Sequence, residues 1–150
     1  MTVVIVIINS TNNDELEIVS VSNINDGIVL EDLKEFSNLN SNEKFVILNI
    51  WASWCIPCQN EVSELKILSE TKEYYVIGIL VEDSKENGKE FIIKNEISYQ
   101  NILDSTVAES ILIQFIWSGI PTTLVLNDNL EIISTINGEI TANEIFELTR

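Results

Sequence analysis

The sequence predicts an α/β fold in which helices cover both faces of a central mixed β-sheet, giving three α/β/α layers. Three patterns predict it: two apolar runs typical of buried strands, an amphipathic segment between them, and a strand-turn-strand pattern before a last helix. A chain of 150 residues buries about 68–70% of its unfolded surface as one domain. A single domain with a full core is therefore expected.

The two apolar runs form the centre of the predicted sheet. Phe45–Trp51 and Tyr74–Val81 are rich in β-branched residues, as in strands that are covered on both faces. Between them, Pro57–Lys72 carries apolar residues at helical spacing, which predicts a helix with one buried face. Strand, helix and strand make a β-α-β unit, whose two strands run parallel.

The remaining elements are predicted to be shorter. In order, they are a helix over Ser84–Asn95 interrupted by Gly88, a strand near Tyr99–Leu103, a helix over Thr106–Phe115, and an antiparallel hairpin of Thr122–Asn127 and Leu130–Ile136. A last helix follows Gly138, because Thr141 lies three residues before Glu144, the spacing of a capping box.

The N-terminal region is predicted to be less regular. Residues 1–14 are expected to be an extension or linker, and residues 15–150 the folded domain. Apolar Thr2–Ile8 is interpreted first as a strand and second as the trimmed end of a membrane anchor, since it falls short of the roughly 20 residues that span a bilayer. We also expect a strand over Leu16–Val21, a turn at Asn25–Gly27 and a short helix over Leu30–Phe36.

The charge balance excludes several functions. There are 24 Asp and Glu against 8 Lys and Arg, a net charge of −16, and no histidine. Nucleic acids and anionic membranes are bound by cationic patches, so no nucleic-acid partner is expected, and a membrane only through a lost N-terminal anchor. Without histidine, Ser-His and Cys-His catalysis are excluded, and chemistry must use thiol, carboxylate or hydroxyl groups.

Cys55 and Cys58, the only cysteines, lie three residues apart where a buried strand gives way to a helix. Free N–H groups at a helix N-terminus stabilise a thiolate, and their local effect exceeds the screened field of distant carboxylates. We expect Cys55 to project to solvent and attack, and Cys58, one turn further, to be shielded and to resolve the mixed disulfide. Pro57 lacks an N–H and fixes φ for the first turn.

Two alternatives for these cysteines are weaker. A closed zinc site needs four ligands, mostly Cys and His, and the chain offers two Cys and no His, so no metal or other cofactor is expected. A purely structural disulfide is also disfavoured, because so short a loop constrains little of the unfolded chain.

The segment Trp51-Ala-Ser-Trp-Cys-Ile-Pro-Cys58 resembles the active site of the thioredoxin superfamily. With Asn49 and Glu61 it is similar to the TlpA/ResA-like thiol-disulfide oxidoreductase branch, and Gly119-Ile-Pro-Thr-Thr123 resembles that family's cis-proline loop. The resemblance covers roughly Leu16 to the C-terminus. It implies a thioredoxin-like fold and a Cys-X-X-Cys pair that exchanges disulfides with partner proteins, as a reductase in preference to an oxidase, recharged by an upstream thiol reductant.

The same resemblance implies residue roles. Cys55 is the nucleophile and Cys58 the resolving thiol. The implied substrate-binding positions are Trp54 over the sulfur pair, Pro57, the Ile120 backbone, which pairs with an extended substrate segment, and Pro121, in a cis peptide bond beside the disulfide. Core packing is a competing interpretation for Trp54, and it is the preferred one for Trp51 and Trp117.

The sequence departs from thioredoxins at Asn49, where they carry a buried Asp six residues before the first cysteine. Glu61 is then the candidate proton acceptor for the resolving thiol, and the TlpA/ResA-like branch has Glu there. Burial would raise its pKa toward neutrality and suit it to proton transfer. From spacing alone, a solvated helix carboxylate is an equally open interpretation.

The sequence also bears on the location of the protein and on alternative activities. The resemblance implies bacterial, extracytoplasmic work, often on cysteines of proteins awaiting haem or copper, with the cytoplasm left open because no signal peptide is visible. A thioredoxin-like binding or chaperone module without turnover is the first alternative. A peroxiredoxin-like peroxidase is the second and weaker one, because it needs an arginine near its cysteine and the only arginine is Arg150.

Overall fold

A computed structural model of the chain describes residues 24–37, 39 and 42–150. The expected strand or anchor at residues 2–8, the linker up to residue 14 and the strand Leu16–Val21 lie outside the described residues. The elements are a 3₁₀ helix (Glu31–Glu35), β1 (Phe45–Trp51), α1 (Ile56–Asn60), α2 (Val62–Glu70), β2 (Tyr74–Leu80), α3 (Lys85–Lys94), β3 (Gln100–Ile102), α4 (Ser105–Leu112), β4 (Thr122–Asn127), β5 (Ile132–Asn137) and α5 (Ala142–Leu148). Across the described ranges, no helix has the length and apolarity needed to cross a membrane.

The five strands form one mixed sheet in the order β3-β2-β1-β4-β5. β1 pairs in parallel with β2, β2 pairs in parallel with β3, and the β4–β5 hairpin joins the other side of β1 antiparallel. The carboxyl ends of β1, β2 and β3 therefore lie at one edge of the sheet, and β4 begins at the same edge. Ligand and catalytic groups of open α/β sheets gather at such an edge.

The sheet separates two apolar layers, which confirms the predicted α/β architecture. Alternate side chains of a strand point to opposite faces. Leu48 of β1 packs with the 3₁₀ helix and α4, whereas its neighbour Ile47 packs with α2 and α5. Both residues are fully buried, which explains why the β1 sequence is apolar at every position except Asn49 instead of alternating.

The predicted helix Pro57–Lys72 is wrong in its continuity, since the structure has α1 and α2 separated by a turn at Glu61. The Glu61 backbone lies at φ −87° and ψ −4°, and its side chain points inward instead of toward solvent. No glycine or proline marks this turn in the sequence. The sequence therefore does not indicate the interruption, which goes together with the buried contacts of the Glu61 carboxylate.

The predicted interruption at Gly88 is also wrong, because α3 runs through it without a break from its N-cap, Ser84. Gly88 is buried, and a Cβ there would lie 2.6 Å from Leu80 Cδ2. The glycine therefore allows α3 to pack closely against β2.

The smaller elements differ from the prediction mainly at their ends. The Leu30–Phe36 helix is a 3₁₀ helix, and the second hairpin strand begins at Ile132 because Leu130, with φ +61°, still belongs to the turn. The capping box is confirmed: Thr141 Oγ1 accepts from the Glu144 N–H, and the Glu144 carboxylate accepts from the Thr141 N–H.

Candidate active site

The two cysteines lie where the chain leaves β1 and starts α1. A tight turn, closed by the Cys55 N–H on the Ala52 carbonyl at 3.3 Å, brings Cys55 to the N-cap of α1. Cys55 and Cys58 are joined by a disulfide, with an Sγ–Sγ distance of 2.11 Å. The Cys58 N–H also donates to Cys55 Sγ at 3.2 Å. An N–H donor in this position is the kind of contact that stabilises a cysteine thiolate.

The predicted difference in exposure between the two cysteines is wrong for this oxidised form. Cys55 is 4% exposed and Cys58 3%. Both belong to a buried cluster with Trp51, Ala52 and Leu80. The disulfide bond holds both sulfurs within this apolar cluster, so solvent exposure does not distinguish the two cysteines. The hydrogen bond that Cys55 Sγ accepts at the N-cap distinguishes them.

The loop before β4 completes the surroundings of the disulfide. The Ile120–Pro121 peptide bond is cis, as the resemblance implied. Ile120 is partly buried and packs against the cluster that contains Cys55 and Cys58. Among the described residues, no hydrogen bond uses the backbone N–H or C=O of Ile120, whereas the Pro121 carbonyl accepts from the Gly138 N–H at 2.9 Å.

Trp54 does not belong to the core, so its competing interpretation is wrong. It is 57% exposed, and its indole N–H donates to the Glu82 carbonyl at 3.0 Å. The neighbouring Ser53 N–H donates to Asp83 at 2.8 Å. Two hydrogen bonds thus join the loop before Cys55 to the loop after β2. Trp51, by contrast, is buried. Trp117 is partly buried and packs against the core cluster that contains Leu48 and α4. Both tryptophans therefore take part in core packing, which was the preferred interpretation for them.

The Asp83 carboxylate is held in its charged form. Desolvation acts to raise its pKa, but hydrogen bonds from Ser53, Asn87 and Ser84 outweigh it, so the pKa lies below its ordinary value. No local sequence pattern marks Asp83, since its partners lie in the turn before Cys55 and at the start of α3. It fixes the backbone of the turn that presents the cysteines.

Glu61 is a buried carboxyl, which overturns the solvated interpretation. It is 1% exposed, and its oxygens accept from Asn49 Nδ2 at 2.6 Å and from the Ile140 N–H at 3.1 Å. Desolvation raises the pKa of Glu61 to about 7. The two hydrogen bonds act to lower this pKa, and the negative charge of Glu139 adds to the increase. A carboxyl with this pKa can both accept and release a proton near neutral pH.

Asn49 connects the buried carboxyl to the hairpin. It is 2% exposed, and Nδ2 also donates to Thr123 Oγ1 at 3.0 Å. Both amide protons are therefore used, one toward Glu61 and one toward β4. Thr123 belongs to the segment Gly119–Thr123 that resembles a cis-proline loop, so the sequence already indicated that it lies near the site. Ile140 contributes only its backbone N–H, for which a sequence carries no signal.

In the described part of the chain, no group of three or more Cys, Asp or Glu side chains is placed to hold a metal ion. Arg150, the only arginine, forms an exposed ion pair with Glu147 beyond α5.

Comparison with known proteins agrees with this geometry. Residues 12–135 match the AhpC/TSA family. Sporulation thiol-disulfide oxidoreductase A of Bacillus subtilis is 27% identical over 77% of this chain and 72% of its own length, and thiol-disulfide oxidoreductase ResA of Geobacillus kaustophilus is 26% identical over 85% and 75%. The crystal structure of a secreted thiol-disulfide isomerase from Corynebacterium glutamicum superposes with a TM-score of 0.63 at 31% identity, covering 77% of this chain and 71% of that one.

The chain therefore belongs to the AhpC/TSA family and has a thioredoxin-like α/β fold. Its relatives are named for thiol-disulfide exchange, and its own Cys55 and Cys58 form the disulfide that such exchange requires. The chain is a thiol-disulfide oxidoreductase.

Proposed function

We propose that the chain reduces disulfides in partner proteins through Cys55 and Cys58. The observation that carries the proposal is the position of Cys55 at the N-cap of α1, where the Cys58 N–H meets its sulfur. In the reduced pair, the Cys55 thiolate attacks one sulfur of the partner's disulfide. A mixed disulfide forms and one partner thiolate leaves.

Cys58 completes the transfer. Its thiolate attacks Cys55 Sγ, which closes the Cys55–Cys58 disulfide and releases the second partner thiolate. Two electrons pass from the pair to the partner, and an upstream thiol reductant returns them. The distance between the Cys55 and Cys58 Cα atoms, 5.2 Å, allows the pair to close with little backbone movement.

Glu61 accepts the proton that Cys58 loses before it attacks. The carboxyl follows Cys58 by three residues, and desolvation raises its pKa to about 7. A proton acceptor works best when its pKa is near the ambient pH. Asn49 and the Ile140 N–H hold the carboxylate by two hydrogen bonds.

The cis-proline loop binds the partner. Ile120 keeps its backbone N–H and C=O without a hydrogen bond among the described residues and packs against the cysteine cluster. An extended segment of the partner pairs with this backbone, as a strand pairs with an open sheet edge. Pro57 and Trp54, which are both exposed, line the same approach, and Pro121, which is buried just before β4, holds Ile120 in place there.

The site of action is outside the cytoplasm. The similar protein of Corynebacterium glutamicum is described as secreted. In intact cells that produce the chain, a thiol reagent that cannot cross membranes should label reduced Cys55. Labelling only after lysis would contradict this location.

Insulin reduction tests the activity. With dithiothreitol as the reductant, the wild type should accelerate insulin precipitation, and Cys55→Ser should return the rate to that of dithiothreitol alone. In a separate reaction without dithiothreitol, the reduced Cys58→Ser variant should trap a mixed disulfide with insulin. A binding or chaperone module would show neither the acceleration nor the trapped complex.

A further inference from the structure

One row of residues crosses four neighbouring strands on the α2 side of the sheet. Asn49 on β1 pairs with Thr123 on β4 and with Gly78 on β2, and Gly78 pairs with Asn101 on β3. Asn49 and Thr123 belong to the Glu61 network described above. Asn101, on the far side of Gly78, is not part of that network and serves a different side chain.

Asn101 holds the indole of Trp51. Its Oδ1 accepts from Trp51 Nε1 at 2.9 Å, and its Nδ2 donates to the Tyr99 carbonyl at 3.0 Å. The second bond fixes which end of the amide faces the indole, because only the oxygen can accept. Trp51 is 4% exposed, and a buried indole N–H without an acceptor carries a desolvation cost.

Gly78 makes this bond geometrically feasible. A Cβ at this position would lie 1.9 Å from Asn101 Oδ1 and 2.7 Å from Trp51 Nε1. The hydrogen bond therefore passes over β2, between side chains of β1 and β3, where any other residue would intrude.

The indole also belongs to the disulfide cluster. Trp51 is buried together with Cys55 and Cys58, and its ring packs on Phe91 with the ring centroids 5.0 Å apart. Asn101 and Phe91 therefore determine how the indole is presented to this cluster. A rotated indole would leave the sulfurs less protected from water.

We propose that Asn101 is a positioning residue for disulfide exchange, because its hydrogen bond holds the Trp51 indole against the Cys55–Cys58 pair and limits the access of water to the sulfurs. A thiolate gains more from water than a disulfide does, so a loosened indole favours the reduced pair. The inference rests on the proposed function only in the assumption that Cys55 and Cys58 are the cysteines that exchange disulfides.

The test measures the equilibrium between dithiol and disulfide in a dithiothreitol redox buffer at pH 7, by alkylation of the purified chain. Asn101→Val removes the acceptor while keeping a residue suited to a strand. We expect its equilibrium to shift about tenfold toward the dithiol, which is about 30 mV for a two-electron couple. The pH profile for alkylation of Cys55 should also move to lower pH. Gln100→Val, an exposed neighbour on β3, should change neither readout.

A double-mutant cycle separates positioning from general loss of packing. In Trp51→Phe the N–H donor is absent, so adding Asn101→Val should produce little further shift. An unchanged equilibrium and profile in Asn101→Val, or the same shift in both backgrounds, would overturn the inference. If Asn101→Val fails to fold, Asn101→Ser, which is too short to reach the indole, takes its place. The equilibrium does not depend on turnover, so loss of wild-type insulin reduction rejects the proposed function without deciding this inference.

Discussion

The Glu61 carboxyl shows how one buried group can acquire a chemical role from its surroundings. Its hydrogen bonds from Asn49 and Ile140 favour the charged form, and burial disfavours it. Burial is the larger effect, so the pKa rises to about 7. The group is therefore divided between its two protonation states near neutral pH.

Glu61→Gln should slow the closure of the Cys55–Cys58 disulfide and remove a step from its pH profile. As pH rises through about 7, wild-type Glu61 loses its proton and becomes able to accept one from Cys58, so the rate should rise there. Glutamine cannot accept that proton, so we expect the rate of disulfide closure to fall about 100-fold, which is the lower end of the range for general base catalysis. Stopped-flow resolution of a preformed mixed disulfide between pH 5 and 9 measures the profile.

Glu64→Gln is the matched control. Its carboxylate lies one helical turn further along and accepts from the Ala142 N–H at 2.8 Å, away from the Asn49 network. It should keep the rise near pH 7. A Glu61→Gln profile that overlaid the wild type would reject Glu61 as the proton acceptor.

Spacing and pattern predict some of these features and not others. Cys55, Cys58 and the turn to α1 follow from adjacent residues, so the sequence predicts them well. Burial of Glu61 depends on how β1 and α5 pack around it, and spacing leaves that open. The Asn101 bond to Trp51 joins residues 50 positions apart across an intervening strand. Such contacts depend on strand order and register, which one sequence does not specify.

The helices differ in how their ends are fixed. α5 begins with a complete capping box, in which Thr141 and Glu144 satisfy each other's backbone N–H groups. Two carboxylates at the start of α2 also accept from backbone N–H groups around the start of α5: Glu61, the residue before α2, binds the Ile140 N–H, and Glu64 binds the Ala142 N–H. The start of α5 is therefore tied to the helix that follows the cysteines. The capping box was predictable from local sequence, whereas the contacts from α2 were not.

Thr141→Ala should lower the free energy of unfolding by about 1 kcal/mol, the usual cost of losing an N-cap side chain. The Glu144 N–H loses its acceptor, while the rest of α5 keeps its packing. Urea unfolding followed by circular dichroism measures the change. Ser63→Ala, at an exposed position in α2, should have little effect or stabilise slightly, because alanine has the higher helix propensity. Equal losses in the two variants would contradict the capping contribution.

The chain carries a large negative charge, part of which lies near the disulfide. The net charge is −16, and the ion pairs of the described residues join Lys34 to Glu31, Lys44 to Glu73 and Arg150 to Glu147. Lys44 and Glu73 precede β1 and β2, so their pair lies at the edge of the sheet opposite the disulfide. Glu82, Asp83 and Glu139 belong to loops at the disulfide edge and take no part in these ion pairs. A partner that approaches Cys55 therefore meets a negative field.

This field should select disulfides by their charge. We expect the reduced chain to react about tenfold faster with cystamine, which is cationic, than with dithiodipropionate, which is anionic, at 10 mM ionic strength, where the Debye length is about 30 Å. At 0.5 M salt the ratio should fall toward the one measured for dithiothreitol, which also reacts through a thiolate but has no protein charge around it and so corrects for the intrinsic reactivity of the two probes. Glu82→Gln should reduce the low-salt ratio, because it removes one charge beside Trp54. A ratio equal to that of dithiothreitol at every ionic strength would show that the chain's net charge does not act at Cys55.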